Sequence, residues 1–334
     1  VDINVLLTYA VEHNASDLHL SAGLVPLVRV DGMLQQVAEA EKLDGAVLHD
    51  ILRQILLSED ITLLSTRREI DCTFNSPTLG RFRINVFHQS QGIAVALRVI
   101  PKKIPTFAEL GFSDIFYQIC NMPNGLVVLA GPTGSGKTTT IASVLEYINA
   151  TQNGHIVTLE DPIEYAFEPK RCLVHQREIG IHTESFGAAL RAVLREDPDY
   201  IFVGEMRDLE TIKLALTAAE TGHLVFATLH TSSAAETINR IVDVFQASEK
   251  AMVRSILASS LRAVISQVLV KRKNGGRVAA QEIMICNSAI KNMIREDKTH
   301  QIYSVIQTGH EVGMRTLEQH LQELIKKGMV DAEQ

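Results

Sequence analysis

The sequence predicts an α/β protein in which a parallel-sheet domain follows a smaller α+β domain. Three observations carry this expectation. Short, almost wholly apolar runs alternate with helical patterns from residue 126 onward, as in parallel sheets covered on both faces. The first of these runs leads directly into a glycine-rich octapeptide that opens a helix. Residues 1–100, by contrast, show two-residue alternation and hairpin signals.

In the first hundred residues, 3–13 read as a helix. Leu27-Val28-Arg29-Val30 leads into Asp31-Gly32, a dipeptide that favours a tight hairpin turn. Residues 44–57 place Val47, Leu48, Ile51, Leu52 and Ile55 at helical spacing. Residues 81–87 set Phe82, Ile84 and Val86 against Arg81, Arg83 and Asn85. Residues 93–99 set Ile93, Val95, Leu97 and Val99 against Ala94, Ala96 and Arg98. The polar stretch 88–92 closes a hairpin between them, so Arg81, Arg83 and Arg98 are expected on one face. Residues 101–111, PKKIPTFAELG, hold two prolines and a closing glycine and read as a linker. The domains are then 1–100 and 112–334.

Strands are expected at 126–130, 155–159, 200–203 and 223–229. Between them lie helices at 136–150, at 185–196, stopped by Asp197-Pro198, and at 208–221, ended by Gly222. Residues 246–334 read as mostly helical, interrupted near Lys273-Asn274-Gly275-Gly276.

Length and composition bound the function. A chain of 334 residues fits two domains on a prior of roughly 100–200 residues each. The net charge of -7, from 39 acids and 32 bases, gives no sign of general nucleic-acid affinity. Cys72, Cys120, Cys172 and Cys286 lie far apart, which argues against a zinc ribbon and a disulfide framework and fits a reducing compartment. There is no apolar run of about 18 residues and no signal-peptide layout. The expectation is a cytoplasmic protein without direct membrane insertion that binds no nucleic acid and meets a membrane only through a partner.

Residues 131–138, GPTGSGKT, match G-x-x-x-x-G-K-[ST] at every fixed position, between an apolar strand and an amphipathic helix. Glycines let backbone N–H groups curl around a phosphate without a Cβ clash. A helix N-terminus adds its positive dipole end. Pro132, Thr133, Gly134, Ser135, Gly136, Lys137, Thr138 and Thr139 are the expected nucleotide contacts. Lys137 supplies charge to the β- and γ-phosphates, and the Thr138 hydroxyl is the expected Mg²⁺ ligand. Such a site also needs a strand-end carboxylate on the metal side and a group that activates water. Gly204-Glu205 follows the run at 200–203, which gives Glu205 the metal-side role. Glu160-Asp161-Pro162-Ile163-Glu164 follows the run at 155–159. Glu164 takes the water-activating role, with Asp161 and Glu160 as rivals. His223 and His230 bracket the fourth run and are candidates to sense the γ-phosphate. Arg81, Arg83 and Arg98, and further Arg195 and Arg207, are candidate arginine fingers.

GPTGSGKT, LEDPIEY (159–165), VGEMRD (203–208) and TGHLVFATLHT (221–231) occur in this order, and together they resemble the type II/IV secretion ATPase superfamily. ASDLHLSAG (15–23), RFRINVF (81–87), LREDPD (194–199) and AIKNMIREDK (289–298) narrow the likeness to its type IV pilus retraction ATPases. The resemblance covers essentially the whole chain. It implies a PAS-like N-terminal domain, a RecA-like P-loop ATPase domain with a C-terminal helical extension, and a homohexameric ring. It also implies use of ATP and Mg²⁺, hydrolysis of ATP to ADP and phosphate, and pilus retraction through an inner-membrane platform protein, with pilin engaged indirectly. By the same resemblance Glu164 is the catalytic glutamate of the acidic box and Glu205 that of an atypical Walker B. His230 with His223 forms the histidine box, and Arg83 and Arg98 approach the phosphates. In the family the segment at 289–298 reads closer to AIRNLIRE; here Lys291 and Met293 replace Arg and Leu, and Lys does not reproduce a bidentate arginine contact. The alternatives are an accessory retraction paralogue and a pilus-assembly or type II secretion ATPase. The latter usually carry an extra N-terminal domain and a four-cysteine metal element. Outside this chemistry stand a nucleotide-gated switch, separable by phosphate release, and a DNA translocase, separable by DNA-stimulated turnover.

Overall fold

The computed structural model describes residues 2–30, 32–100 and 103–332. By internal contacts the chain divides into two compact units, Val1–Lys103 and Ile104–Gln334.

The first unit begins with α1 (Ile3–Glu12), β1 (Asp17–Ser21), β2 (Leu27–Val30), β3 (Met33–Gln36), α2 (Gly45–Ile55) and α3 (Ser58–Thr66). It ends with β4 (Glu69–Ser76), β5 (Gly80–Gln89) and β6 (Gly92–Ile100). The six strands form one antiparallel sheet in the order β3-β2-β1-β6-β5-β4. Side chains of Asp2 and Asp44 accept from the first-turn amides of α1 and α2 and fix where those helices start. Leu6 and Leu7 of α1 and Leu48, Ile51 and Leu52 of α2 share a core with Leu18, Leu20, Phe82, Ile84, Val86 and Leu97. The β5–β6 turn is tighter than expected, since His88 and Gln89 still belong to the strand. Arg83 and Arg98 stand directly opposite one another across β5 and β6. Asp31 of the β2–β3 turn lies outside the described residues, and the flanking Gly32 has φ +84°.

The second unit opens with α4 (Phe107–Leu110) and α5 (Ile115–Cys120). The stretch read as a linker therefore carries a helical turn. Thr106 and Glu109 close a capping box around it, and the ring of Phe107 packs in a buried aromatic group with Phe116, Phe112 and Tyr147. The chain then runs β7 (Gly125–Ala130), α6 (Lys137–Thr151), β8 (His155–Glu160), β9 (Leu173–Glu178), α7 (Phe186–Val193), β10 (Tyr200–Val203), α8 (Leu209–Glu220) and β11 (Leu224–Leu229). It continues through α9 (Ala234–Asp243), α10 (Lys250–Ser260), β12 (Leu261–Lys271), β13 (Arg277–Ile285), α11 (Ser288–Arg295), α12 (Ile302–Thr308) and α13 (Leu317–Lys326).

The sheet order is β13-β12-β7-β11-β10-β8-β9. Six strands are parallel, and β13 runs antiparallel at one edge. All residues of β7, β8 and β11 are buried, so β7 and β11 read as nearly continuous apolar runs rather than alternating ones, and β8 buries His155, Thr158 and Glu160 as well. The expectation of a mostly helical C-terminal region is corrected here. Leu261–Lys271 and Arg277–Ile285 form a hairpin, and the glycine-rich interruption is its turn. The β-branched content of AVISQVLV favours a strand once β7 offers it an edge to pair with.

Candidate functional site

Because β7, β8, β10 and β11 are parallel neighbours, the segments that follow them emerge on one edge of the sheet. That topology brings together the phosphate loop after β7, residues 161–164 after β8, Glu205 after β10 and His230 after β11. Gly131, Gly134 and Gly136 all have positive φ. At Gly131 the need is strict: a Cβ would meet the backbone oxygen of Gln267 at 2.3 Å and Oγ of Ser135 at 2.6 Å. Lys137 begins α6, and its Nζ folds back to donate to the carbonyls of Gly131 at 2.6 Å and Pro132 at 2.9 Å. Burial pulls its pKa below the ordinary lysine value, while the carboxylates of Glu205 and Glu164 oppose that fall. Both acids therefore act electrostatically on the same ammonium group. Thr138 lies in the first turn of α6, and the Thr139 hydroxyl bonds the Tyr165 hydroxyl at 3.1 Å. Pro132, Thr133 and Gly134 form the exposed lip, and Ser135 is buried beneath it.

Glu205 is placed by its neighbours. Gly204 passes so close to β8 that a Cβ there would lie 2.9 Å from the Leu159 carbonyl oxygen. Its own N–H bonds that carbonyl at 2.7 Å, and the Thr228 hydroxyl donates to its carbonyl oxygen. A side chain at 204 is thus excluded, and the carboxylate falls to the next residue. Glu205 receives Arg207 Nε at 2.5 Å and faces His230 Nε2 at 3.3 Å. Burial pushes its carboxyl up, but the hydrogen bond from Arg207 and the charges of His230 and Arg207 outweigh this and hold it below the ordinary value. Glu205 is consequently an anion at neutral pH.

Within the acidic box the side chains separate by environment. Glu164 and Asp161 are exposed. Glu160 is buried at 5% exposure, accepts from the Thr158 hydroxyl at 2.6 Å and Gln176 Nε2 at 3.1 Å, and is driven up to about 7, mainly by desolvation. Its hydrogen bonds tie β8 to β9, whereas Glu164 and Asp161 face solvent.

The structure does not bring every candidate to this edge. His223 precedes β11, its Nδ1 donates to the Ala218 carbonyl at 2.9 Å with the Thr221 hydroxyl 3.3 Å away, and it sits roughly 20 Å from His230, the length of a six-residue strand. Arg195 is exposed in the segment ahead of β10. Arg83 and Arg98 belong to the first unit, where Arg83 approaches Asp71 at 3.9 Å and Arg98 Nε bonds Asp17 at 3.0 Å. Sequence reading passed over Gln267, whose Nε2 donates to the Ser135 carbonyl at 2.6 Å. The available signal was a lone amide side chain inside the apolar run of β12.

Among the described residues no cluster of three or more His, Cys, Asp or Glu side chains is arranged to hold a metal ion by itself. An oxygen pair such as Thr138 and Glu205 suits Mg²⁺ only when substrate phosphates complete its shell, the usual arrangement for that ion.

A family model described as type II/IV secretion system protein matches residues 1–334. The type IV pilus retraction ATPase PilT of Pseudomonas aeruginosa is 53% identical, over 100% of this chain and 96% of that protein. A twitching motility protein of Neisseria gonorrhoeae is 47% identical, over 99% of this chain and 88% of its own length. A crystal structure of the pilus retraction motor PilT with bound ADP superposes with a TM-score of 0.93 at 46% identity, covering 100% of this chain and 95% of that one. With the family model matched end to end and a mixed α/β ATPase fold in common, the chain belongs to the type II/IV secretion system ATPases.

Proposed function

We propose that this chain is an ATP-hydrolysing motor that powers type IV pilus retraction and twitching motility. One observation carries the reading: Lys137 lies in a glycine loop on the sheet edge where Glu205 and Glu164 both bear on its charge. A cation cradle with an ionised carboxylate beside it is what phosphoryl transfer requires. Two relatives, matched over 96% and 88% of their length, carry retraction and twitching motility in their names.

In this reading the loop amides and Lys137 bind the β- and γ-phosphates, and Glu164 orients the attacking water. His230 and Arg207 keep Glu205 ionised and oriented. Thr138 and Glu205 would hold Mg²⁺, which when bound neutralises phosphate charge. Arg83 and Arg98, in an N-terminal domain of PAS-like type, would reach a phosphate within a homohexamer that works against an inner-membrane platform protein and, through it, pilin. Among the described residues no helix is long and apolar enough to cross a membrane.

Phosphate release by the purified protein tests the chemistry. Lys137→Ala should lose nucleotide affinity by roughly 100-fold or more, and Glu205→Gln should cut kcat by roughly 100-fold with KM changed little. In cells lacking their own retraction ATPase, the wild-type gene should restore retraction and the Lys137→Ala gene should not. Wild-type turnover no faster than that of Lys137→Ala would remove the motor reading.

A further inference from the structure

The phosphate loop rests on a line of buried polar side chains that no motif announces. The Ser135 carbonyl accepts from Gln267 Nε2 at 2.6 Å. Gln267 Oε1 accepts in turn from the Thr140 hydroxyl at 2.9 Å and from Gln281 Nε2 at 2.9 Å. Gln281 Oε1 accepts from Arg315 Nη2 at 3.0 Å. Gln267, Gln281 and Thr140 are at most 2% exposed, and Arg315 is 9% exposed. The line crosses from the loop through β12 and β13 to the residue just before the cap of α13, whose backbone is bonded both ways to Ile283.

The direction of every bond in this line is set by its ends. A guanidinium only donates, and a carbonyl oxygen only accepts. Arg315 therefore fixes the oxygen of Gln281 toward itself and the amide nitrogen toward Gln267. Gln267 must then present its oxygen to Gln281, which leaves its nitrogen for Ser135. A primary amide without such constraints turns over freely, because its two ends have nearly the same shape. The last bond matters for the ligand. The Ser135–Gly136 peptide is planar and trans, so its C=O and N–H point in opposite directions. Anchoring the carbonyl on Gln267 aims the Gly136 N–H away from β12 and toward the cradle in front of α6.

We propose that Gln267, Gln281 and Arg315 form a hydrogen-bond relay of fixed polarity that orients the Ser135–Gly136 peptide for phosphate binding. They are positioning residues, acting through the loop rather than on the nucleotide. The inference rests on the reading of the loop as an ATP site. It places part of that site's precision on the start of the C-terminal helix α13. Losing the donor at 315 leaves only the Ser135 carbonyl to fix the line, so Gln281 and, through it, Gln267 reverse more readily. A reversed Gln267 sets its oxygen against the Ser135 carbonyl, and the peptide rotates to relieve the repulsion.

The test uses the 334-residue chain, fluorescent ADP for affinity and ATP for turnover. Arg315→Met keeps the bulk and removes the donors; Arg315→Lys keeps a group that only donates. The Met variant should raise the ADP Kd and the ATP KM roughly five- to tenfold with kcat within about twofold, because the Gly136 N–H serves ground and transition states alike. The Lys variant should return both constants to within about twofold of wild type, although its melting temperature will also fall. Gln267→Met supplies the same reading if Arg315→Met does not fold. Wild-type affinity in both Met variants overturns the relay. So does equal loss in the Lys and Met variants, which would mark a packing effect. Failure of the wild-type protein to bind ADP would instead sink the ATP-site reading.

Discussion

At the scale of single residues, the acidic box shows how one sequence pattern yields different groups. Glu164 stays in solvent, whereas Glu160 is buried beside Thr158 and Gln176 and titrates near 7 rather than 4.5. Below about pH 4.5 folded and unfolded chains both carry that proton. Between 4.5 and 7 the unfolded chain has released it and the folded chain has not, so the unfolded state binds fewer protons and stability falls as pH rises. Above 7 the loss is complete, at about 3 kcal/mol for a shift of this size. His320 acts with the opposite sign. Burial, with help from Arg315 and Lys327, takes it from 6.5 to about 3, so its contribution to stability grows as pH rises from 3 to 6.5. A comparison of Glu160→Gln with wild type cancels His320. The variant should gain about 2.5 kcal/mol over wild type between pH 5 and pH 8 in urea unfolding, and parallel curves would show that Glu160 ionises normally. The sequence displayed the box, but its residues alone did not separate Glu164 from its rivals and only the resemblance put it first, because burial depends on which carboxylate ends up between β8 and β9. Glu205 stood out in the sequence because it follows a buried strand, and the close approach of Gly204 to the Leu159 carbonyl leaves no room for a side chain one place earlier. His223 and His230 looked equivalent until the strand between them put one at each edge of the sheet.

At the scale of elements, the strand–loop–helix unit β7–α6 could be read directly, since a glycine loop between an apolar run and an amphipathic helix has few other uses. The wall behind that loop could not. β12 is an apolar run whose period suits a helix or a buried strand, and the choice is made by pairing with β7 far away in sequence. β4 and β9 escaped for the complementary reason, being polar edge strands held by neighbours rather than by pattern. The wall has a measurable signature in two glycines. Gly131 has φ +146° with the Gln267 carbonyl where a Cβ would go, whereas Gly134 has φ +78° with open space around it. Gly131→Ala should therefore cost at least about 3 kcal/mol without nucleotide present, and Gly134→Ala about 1 kcal/mol, the left-handed backbone penalty alone. Equal costs in chemical denaturation would mean that β12 does not press on the loop.

At the scale of the molecule, each unit has its own core and chemistry, and the first unit presents an electrostatic anomaly. Arg83 and Arg98 face each other across β5 and β6, an arrangement of like charges that destabilises a sheet. Asp17 answers Arg98 at 3.0 Å, but Asp71 reaches Arg83 only at 3.9 Å with both side chains largely in solvent, where such a pair contributes little. A group kept at a cost to its own fold is a candidate for work elsewhere, and a phosphate in a hexameric motor is the partner the proposed function supplies. Replacing it should therefore separate stability from activity. Arg83→Gln should leave the melting temperature unchanged or raise it by a degree or two, since the repulsion with Arg98 is relieved. ADP affinity should hold within about twofold, because the phosphate loop, Lys137 and Gln267 all belong to the second unit. ATP turnover should nevertheless fall by roughly 100-fold or more, the mark of a charge needed in the transition state and not for binding. If turnover persists, Arg83 is only a surface charge; if turnover and stability fall together, its role is to hold the sheet.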